Sequence, residues 1–357
     1  MTPESLAFLK SLLDTPGPSA FEAAPARVWR AEAERFADAV HADVAGNSFA
    51  TLQGDGRPRV MLAGHIDEIG VMVSHIDDDG YVSFDTIGGW DPQVFVGQRV
   101  RLLGREGHVA GVVGKKAIHI MDKEDREKVS KVEDLWIDIG ATNRAEAERR
   151  LRIGDPGVLA AGVLEFPNGR LVSRCIDNRI GAFVVLEALR QLAADPAQPA
   201  AAVTAVATTR EEIAATGGGA RSSAAVLEPD VAIVIDVTHA TDYPGIDKRR
   251  HGDYKLGGGP VLSRGASVSE VVFERLASAA EAEQIPYTIE AASRDTHTDA
   301  EAIFNAHRGV ATALVSVPNR YMHSPNEMIA LEDLDRTARL LAAFVRRLTP
   351  DTDFVPR

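Results

Sequence analysis

Five side chains of metal-binding type each stand where an apolar run of the chain ends. They are His65 after VMLAG, Asp177 after SRCI, Glu212 just past VTAVATT, Asp236 at the end of VAIVI, and His323 past ATALVSVPNRYM. Polar groups in these places mark the carboxyl ends of buried strands, where open α/β sheets assemble their chemistry. Two imidazoles and three carboxylates make the mixed nitrogen and oxygen set that a pair of divalent ions needs, with one carboxylate shared and positions left for water. If the five converge, they describe a two-metal hydrolase.

The pattern between these points gives the organisation. SLAFLKSLLD and FEAAPARVWRAEAERFADAV carry apolar residues at helical spacing, separated by the breaker TPGPS. SFATLQG and RPRVMLAGH read as strands on either side of a GDGRP turn, the second apolar enough at its end to be buried on both faces. From about Ile69 to Val163 the chain changes to short Val- and Gly-rich pieces, VMVSHI, YVSFDTI, QRVRLLG, HVAGVVG and DLWIDIG, which predict a small β-barrel or sandwich. Beyond Asp177, helices and strands alternate to the end. None of the five residues falls in the about 110 positions between His65 and Asp177, a gap the size of a small domain. The expectation is an α/β domain of residues 1–68 and 164–357, interrupted by a β-rich insertion at 69–163.

Each candidate has a plainer reading beside it. His65-Ile66-Asp67 puts two polar side chains on one side of a strand end, so that one can bind a metal while the other orients it; a hydrogen-bonded pair at a strand edge has the same spelling. His75-Ile76-Asp77 repeats the triplet but runs into DDG, a turn signal, and is read as solvated. Asp177 occupies an N-cap-like position before IGAFVVLEALRQL, where a carboxylate either caps the helix or bridges two ions. Glu211 and Glu212 follow a buried-strand pattern, so they can divide the work: Glu212 on a metal, Glu211 free to take a proton from water. An unpaired Asp236 after five apolar residues is costly to bury, which calls for a compensating cation. His239 and His297 compete with His323 as the second imidazole, and spacing does not separate them.

Composition excludes several function classes. A net charge of -13 without a long basic block argues against nucleic acid or anionic membrane as partner. No apolar stretch approaches the roughly 20 residues of a membrane span, and the first residues lack a signal-peptide apolar region. The single cysteine, Cys175, allows no intramolecular disulfide and fits a cytoplasmic location; it reads as buried filler.

With these residues placed, the chain resembles the M42 family of metallo-aminopeptidases, which includes glutamyl aminopeptidases and self-compartmentalising tetrahedral aminopeptidases. The blocks that carry the resemblance are GPSAFE, AGHIDEIGVMVSHIDDDG, IGGWDPQVFVGQRV, DLWIDIGA, IDNRIGAF, TTREEI, IDVTHATDYPG, THTDAEAI and NRYMHSPNE. The resemblance implies a mixed-sheet zinc-peptidase-like catalytic domain with an inserted, PDZ-like β-barrel. It implies two divalent ions per subunit (zinc or cobalt, then manganese). His65 and Asp236 complete one site, Glu212 and His323 the other, and Asp177 bridges. Glu211 is then the general base and Asp67 the acid that orients His65. Peptides are the implied substrates, cleaved at the N-terminal residue, and the implied assembly is a homo-oligomer, from dimer to dodecamer.

Four positions depart from the family pattern. Ala20 and Ala214 stand where glycine is common, Thr216 where arginine is, and His297 where a glycine usually precedes Thr-Asp. They bear on substrate preference and loop shape. Two alternatives complete the reading: another metal-dependent amide or glycan hydrolase of endoglucanase type, and a binding protein with a vestigial site.

Overall fold

The computed structural model describes residues 1–357 apart from 215 and 216 and the side chain of Asp125. Among the described residues the fold is mixed α/β, with an eight-stranded mixed sheet, a three-stranded sheet and a closed six-stranded barrel. The order across the large sheet is Ala39–Ala42, Ser48–Leu52, Ala202–Thr208, Arg59–His65, Val231–His239, Ala311–Asn319, Val261–Gly265, Thr288–Ala292. Its central four strands run parallel, and their apolar sequences are buried almost throughout. Continuous burial is what a parallel strand covered on both faces requires. The outer strands are antiparallel at Ser48–Leu52 and Val261–Gly265.

Register sets the chemistry side by side. Thr208 pairs with His65, and Val234 pairs with Ala63, so Asp236 and His65, each two residues further on, end neighbouring strands. The helix Ile176–Ala193 packs against this part of the sheet and is buried along most of its length. Its approach depends on glycine. A Cβ at Gly64 would lie 2.4 Å from the carbonyl carbon of Gly181, and one at Gly181 would lie 2.7 Å from the oxygen of Ile235. Without side chains at these two points, the start of the helix reaches the strand that ends in His65.

A buried ionic knot locks the same corner. Glu68 accepts from Arg174 at 2.9 Å and from Arg179 at 2.8 Å, while the fully buried Arg179 also donates to the carbonyls of Leu12 and Ile66. With the hydrogen bonds made on both sides, two guanidinium groups can sit in the interior. The knot joins the end of helix Pro3–Asp14 to the strand end and to the long helix.

The strands Gly70–Ile76, Val82–Ile87, Trp136–Asp138, Gly107–Gly114, Arg99–Gly104 and Pro156–Leu159 close the barrel around their own core, which includes Val71, Phe84, Phe95, Val100 and Ile137. Of the expected barrel or sandwich, closure selects the barrel. His75 is exposed, and Asp77 accepts the backbone N–H groups of Asp79 and Tyr81 in the turn. The small sheet pairs Leu164–Phe166, Arg170–Ser173 and Glu327–Ala330, which sets Glu327 opposite Ser173.

The expected second helix ends early. It spans Ala23–Ala33, and Ala39–Ala42 is instead an edge strand paired with Ser48–Leu52, where His41 stacks on Phe49 at 4.8 Å. Tertiary pairing overrides the helical propensity of the alanines there. Among the described residues, no helix is long and apolar enough to cross a membrane.

Gly64→Ala forces a methyl group into backbone, so it should lower unfolding stability in urea by about 1–3 kcal/mol. Gly54→Ala, which meets nothing within 4 Å, should leave the midpoint unchanged. Equal midpoints for both variants would contradict the close-approach argument.

Candidate metal centre

The five side chains meet at the carboxyl edge of the central strands. His65 ends one strand and Asp236 lies near the end of its neighbour; Glu211 and Glu212 follow the strand Ala202–Thr208, and His323 follows Ala311–Asn319. Asp177 arrives from the long helix. His65 Nε2 lies 3.2 Å from Asp177 Oδ1 and 3.9 Å from Asp236 Oδ1. His323 Nε2 lies 3.3 Å from Asp177 Oδ2 and 3.4 Å from Glu212 Oε2. Two donor groups result, His65–Asp177–Asp236 and Asp177–Glu212–His323, each with ligand atoms within 4.8 Å of one another. Asp177 belongs to both and offers each a different oxygen.

Local structure explains why these atoms point inward. Asp177 has non-helical backbone angles, and Asn178 Oδ1, not the Asp177 carboxylate, accepts the Gly181 N–H at 3.0 Å. The N-cap-like position expected for Asp177 is therefore taken by its neighbour, and Asp177 keeps both oxygens for the site. His323 Nδ1 lies 2.7 Å from the carbonyl of Gly89. A proton on that nitrogen leaves Nε2 bare as a ligand. Gly89 belongs to the segment that also builds the barrel, so the β-rich region touches the centre.

Asp67 does more than face His65 Nδ1 at 3.4 Å. Its two oxygens accept the backbone N–H groups of Glu211 and Glu212, each at 3.2 Å, and it also accepts the Ser19 hydroxyl. Glu22 accepts the N–H of Arg210 at 3.1 Å. Three successive N–H groups, from Arg210 to Glu212, thus hang from two buried acids, which fixes the turn that presents Glu211. Glu327 plays a similar part on the other side, accepting the N–H of Asp177 at 2.9 Å and of His323 at 2.8 Å.

Sequence reasoning assigned no role to Ser19, Glu22, Asn178 or Glu327, or to Asp299. Asp299 is buried in the same cavity, with Oδ2 bonded to Thr208 and Oδ1 without a partner. Their only sequence signal is membership of the blocks GPSAFE, IDNRIGAF, THTDAEAI and NRYMHSPNE. The competing imidazoles His239 and His297 line the cavity but join neither donor group among the described residues.

The electrostatics fit a site built for cations. Burial pushes the Glu211 carboxyl up to about 10 and Glu212 up to about 7; burial likewise raises Asp236 well above the usual range. Burial also acts to raise Asp177, but hydrogen bonds from His323 and His65 outweigh it and hold that carboxyl far below its ordinary value. Burial opposes charge on His323, yet Asp177 and Glu212 drive it up to about 11. Too many carboxylates are buried here for two imidazoles to neutralise. Glu212 Oε1 is buried without a hydrogen-bond partner. Divalent cations suit this donor set in type, number and charge.

Of the four positions at which the resemblance is incomplete, two bear on backbone shape. Ala20 (φ +73°) and His297 (φ +56°) adopt the left-handed conformation that glycine takes without strain. Ala214 lines the cavity half-buried, and Thr216 lies outside the described residues.

The cluster opens into a cavity of about 1130 Å³. Comparison with known proteins agrees in fold and sequence. The family model described as M42 glutamyl aminopeptidase matches residues 46–340. A lysyl aminopeptidase of Pyrococcus furiosus is 35% identical, covering 98% of both chains. A TET aminopeptidase structure from Thaumarchaeota archaeon SCGC AB-539-E09 superposes with a TM-score of 0.92 at 35% identity, covering 97% of this chain and 96% of that one. The TET1 peptidase of Pyrococcus horikoshii, which assembles into a tetrahedron or a large octahedral shell, superposes at 0.85 with 30% identity, covering 96% and 100%. The chain belongs to the M42 peptidase family.

Proposed function

We propose that the protein is a metal-dependent aminopeptidase that removes N-terminal residues from peptides. The observation that carries the reading is Asp177, whose two oxygens are divided between the two imidazoles. In this reading His65 and Asp236 would hold one divalent cation and Glu212 and His323 a second, with Asp177 available to either. Zinc or cobalt suits the ligands first and manganese next. Held there, such ions would supply Lewis acidity toward a carbonyl and a bound water and would favour the ionised forms of the nearby acids.

The remaining work falls to the chain. Glu211 Oε2 lies 3.6 Å from His65 Nε2, beside the donor groups but in neither. It takes the proton of the attacking water and returns it to the departing amine. Asp67 holds the Glu211 turn by its backbone and faces the His65 ring at 3.4 Å, which relates base and ligand through one carboxylate. Glu327 ties the backbones of Asp177 and His323 together, and so fixes the separation of the two donor groups.

Residues 69–163 then form an insertion in the catalytic unit 1–68 and 164–357, and the large assemblies of TET peptidases make a homo-oligomer the expected state, from dimer to dodecamer. The buried, lone Cys175 fits a cytoplasmic enzyme. The names carried in the family, glutamyl and lysyl, refer to side chains of opposite charge, so preference is a matter for this chain's own pocket.

Glu211→Gln should keep the metal content of the wild type, by elemental analysis, while kcat falls about 10²- to 10⁴-fold. Normal turnover in that variant would remove Glu211 from the role. Glu327→Ala should weaken metal binding about 10- to 100-fold in a chelator competition, with circular dichroism unchanged. Unaltered affinity would reduce Glu327 to a packing role. Cellulose hydrolysis that survives complete chelation would favour the glycosidase alternative.

A further inference from the structure

The cavity continues past the ligand cluster along the sheet to the strands Val261–Gly265 and Thr288–Ala292. There the side chain of Glu290, half-buried, faces the same space. Its Oε1 accepts the Thr238 hydroxyl at 3.2 Å and its Oε2 the Ser263 hydroxyl at 3.4 Å. Both hydroxyl residues are buried, so the carboxylate is braced by the sheet. Among the described residues, Glu290 makes no ion pair with a cationic side chain.

Its distance from the centre is set by the strand. Thr238 follows Asp236 by two residues on Val231–His239 and shares its face, about 7 Å further along. A peptide whose terminal amine and first carbonyl lie at the metal centre has its first side chain free to run along this face.

Resting on the aminopeptidase reading, we propose that Glu290 is the far wall of the pocket for the substrate's first side chain and selects lysine or arginine. A straight four-carbon stem with a cationic head covers the interval between Asp236 and the end of the pocket. The head meets a carboxylate that has both oxygens fixed and no cation of its own, a charge-assisted contact. A glutamyl or aspartyl side chain is set against Glu290, with Asp295 and Asp299 in the same cavity. An apolar side chain displaces water from Glu290 and gives nothing in return. Arg221 and Arg294 also line the cavity, but both are exposed and solvent screens their charge.

The test uses the metal-loaded protein and the p-nitroanilides of lysine, arginine, leucine and glutamate. Lysine and arginine should exceed leucine and glutamate in kcat/KM by about 10- to 100-fold. Glu290→Gln should lower the lysine-to-leucine ratio about tenfold or more, and Glu290→Lys should bring glutamate above lysine. A lysine-to-leucine ratio unchanged in Glu290→Gln, a wild-type preference for glutamate, or equal use of all four would overturn the assignment. Hydrolysis of none of the four would instead contradict the aminopeptidase reading, and the pocket assignment would fall with it.

Discussion

A single buried carboxylate, shared between two imidazoles, is the constraint around which the rest of the structure is arranged. Asp177 sits between His65 and His323 with one oxygen toward each. Burying a carboxylate without compensation costs several kcal/mol, and here it lies among Asp236, Glu211 and Glu212, which raise the local negative charge further. The acids can stay ionised there only if cationic charge is concentrated at the same point; otherwise burial favours their protonated forms. That requirement links packing to chemistry, since the proposed cations would both compensate the acids and act beside Glu211.

Much of the surrounding fold serves to hold Asp177 and its neighbours in place. The glycine contact between Gly64 and Gly181 lets the helix start approach the strand end. Glu68, Arg174 and Arg179 lock the loops behind it. Asp67 and Glu22 suspend the turn of Glu211 from its backbone. Glu327 spans Asp177 and His323. Each of these groups acts on backbone or on a ring nitrogen away from the cavity, which leaves the donor atoms themselves unobstructed. The segment between the barrel strands Val82–Ile87 and Arg99–Gly104 reaches the centre as well, with the Gly89 carbonyl 2.7 Å from His323 Nδ1.

Strand-end residues were the legible part. A run such as VAIVI followed by an acid can bury its strand only if something meets the carboxylate, which singles out Asp236, whereas His65 and Glu212 are marked by their place at strand ends alone. Short Val- and Gly-rich pieces between His65 and Asp177 also pointed to a barrel or sandwich, and closure of the strands decides for the barrel. Residues defined by partners far along the chain were not legible. Asp67 reaches the Glu211 turn across 144 positions and Glu22 reaches Arg210 across 188, and no local pattern encodes either contact. Asp177 and Asn178 are adjacent and both able to cap, so periodicity could not say which would be spent on the helix. The alanines near Val40 read as helix until pairing with Ser48–Leu52 made them an edge strand.

The most direct test is a diffraction measurement on crystals of the zinc-loaded protein, collected at the zinc absorption edge. The account predicts two anomalous peaks flanking the Asp177 carboxylate, one against His65 and Asp236 and the other against Glu212 and His323. A single peak, or a pair that leaves Asp177 uncoordinated, would contradict it.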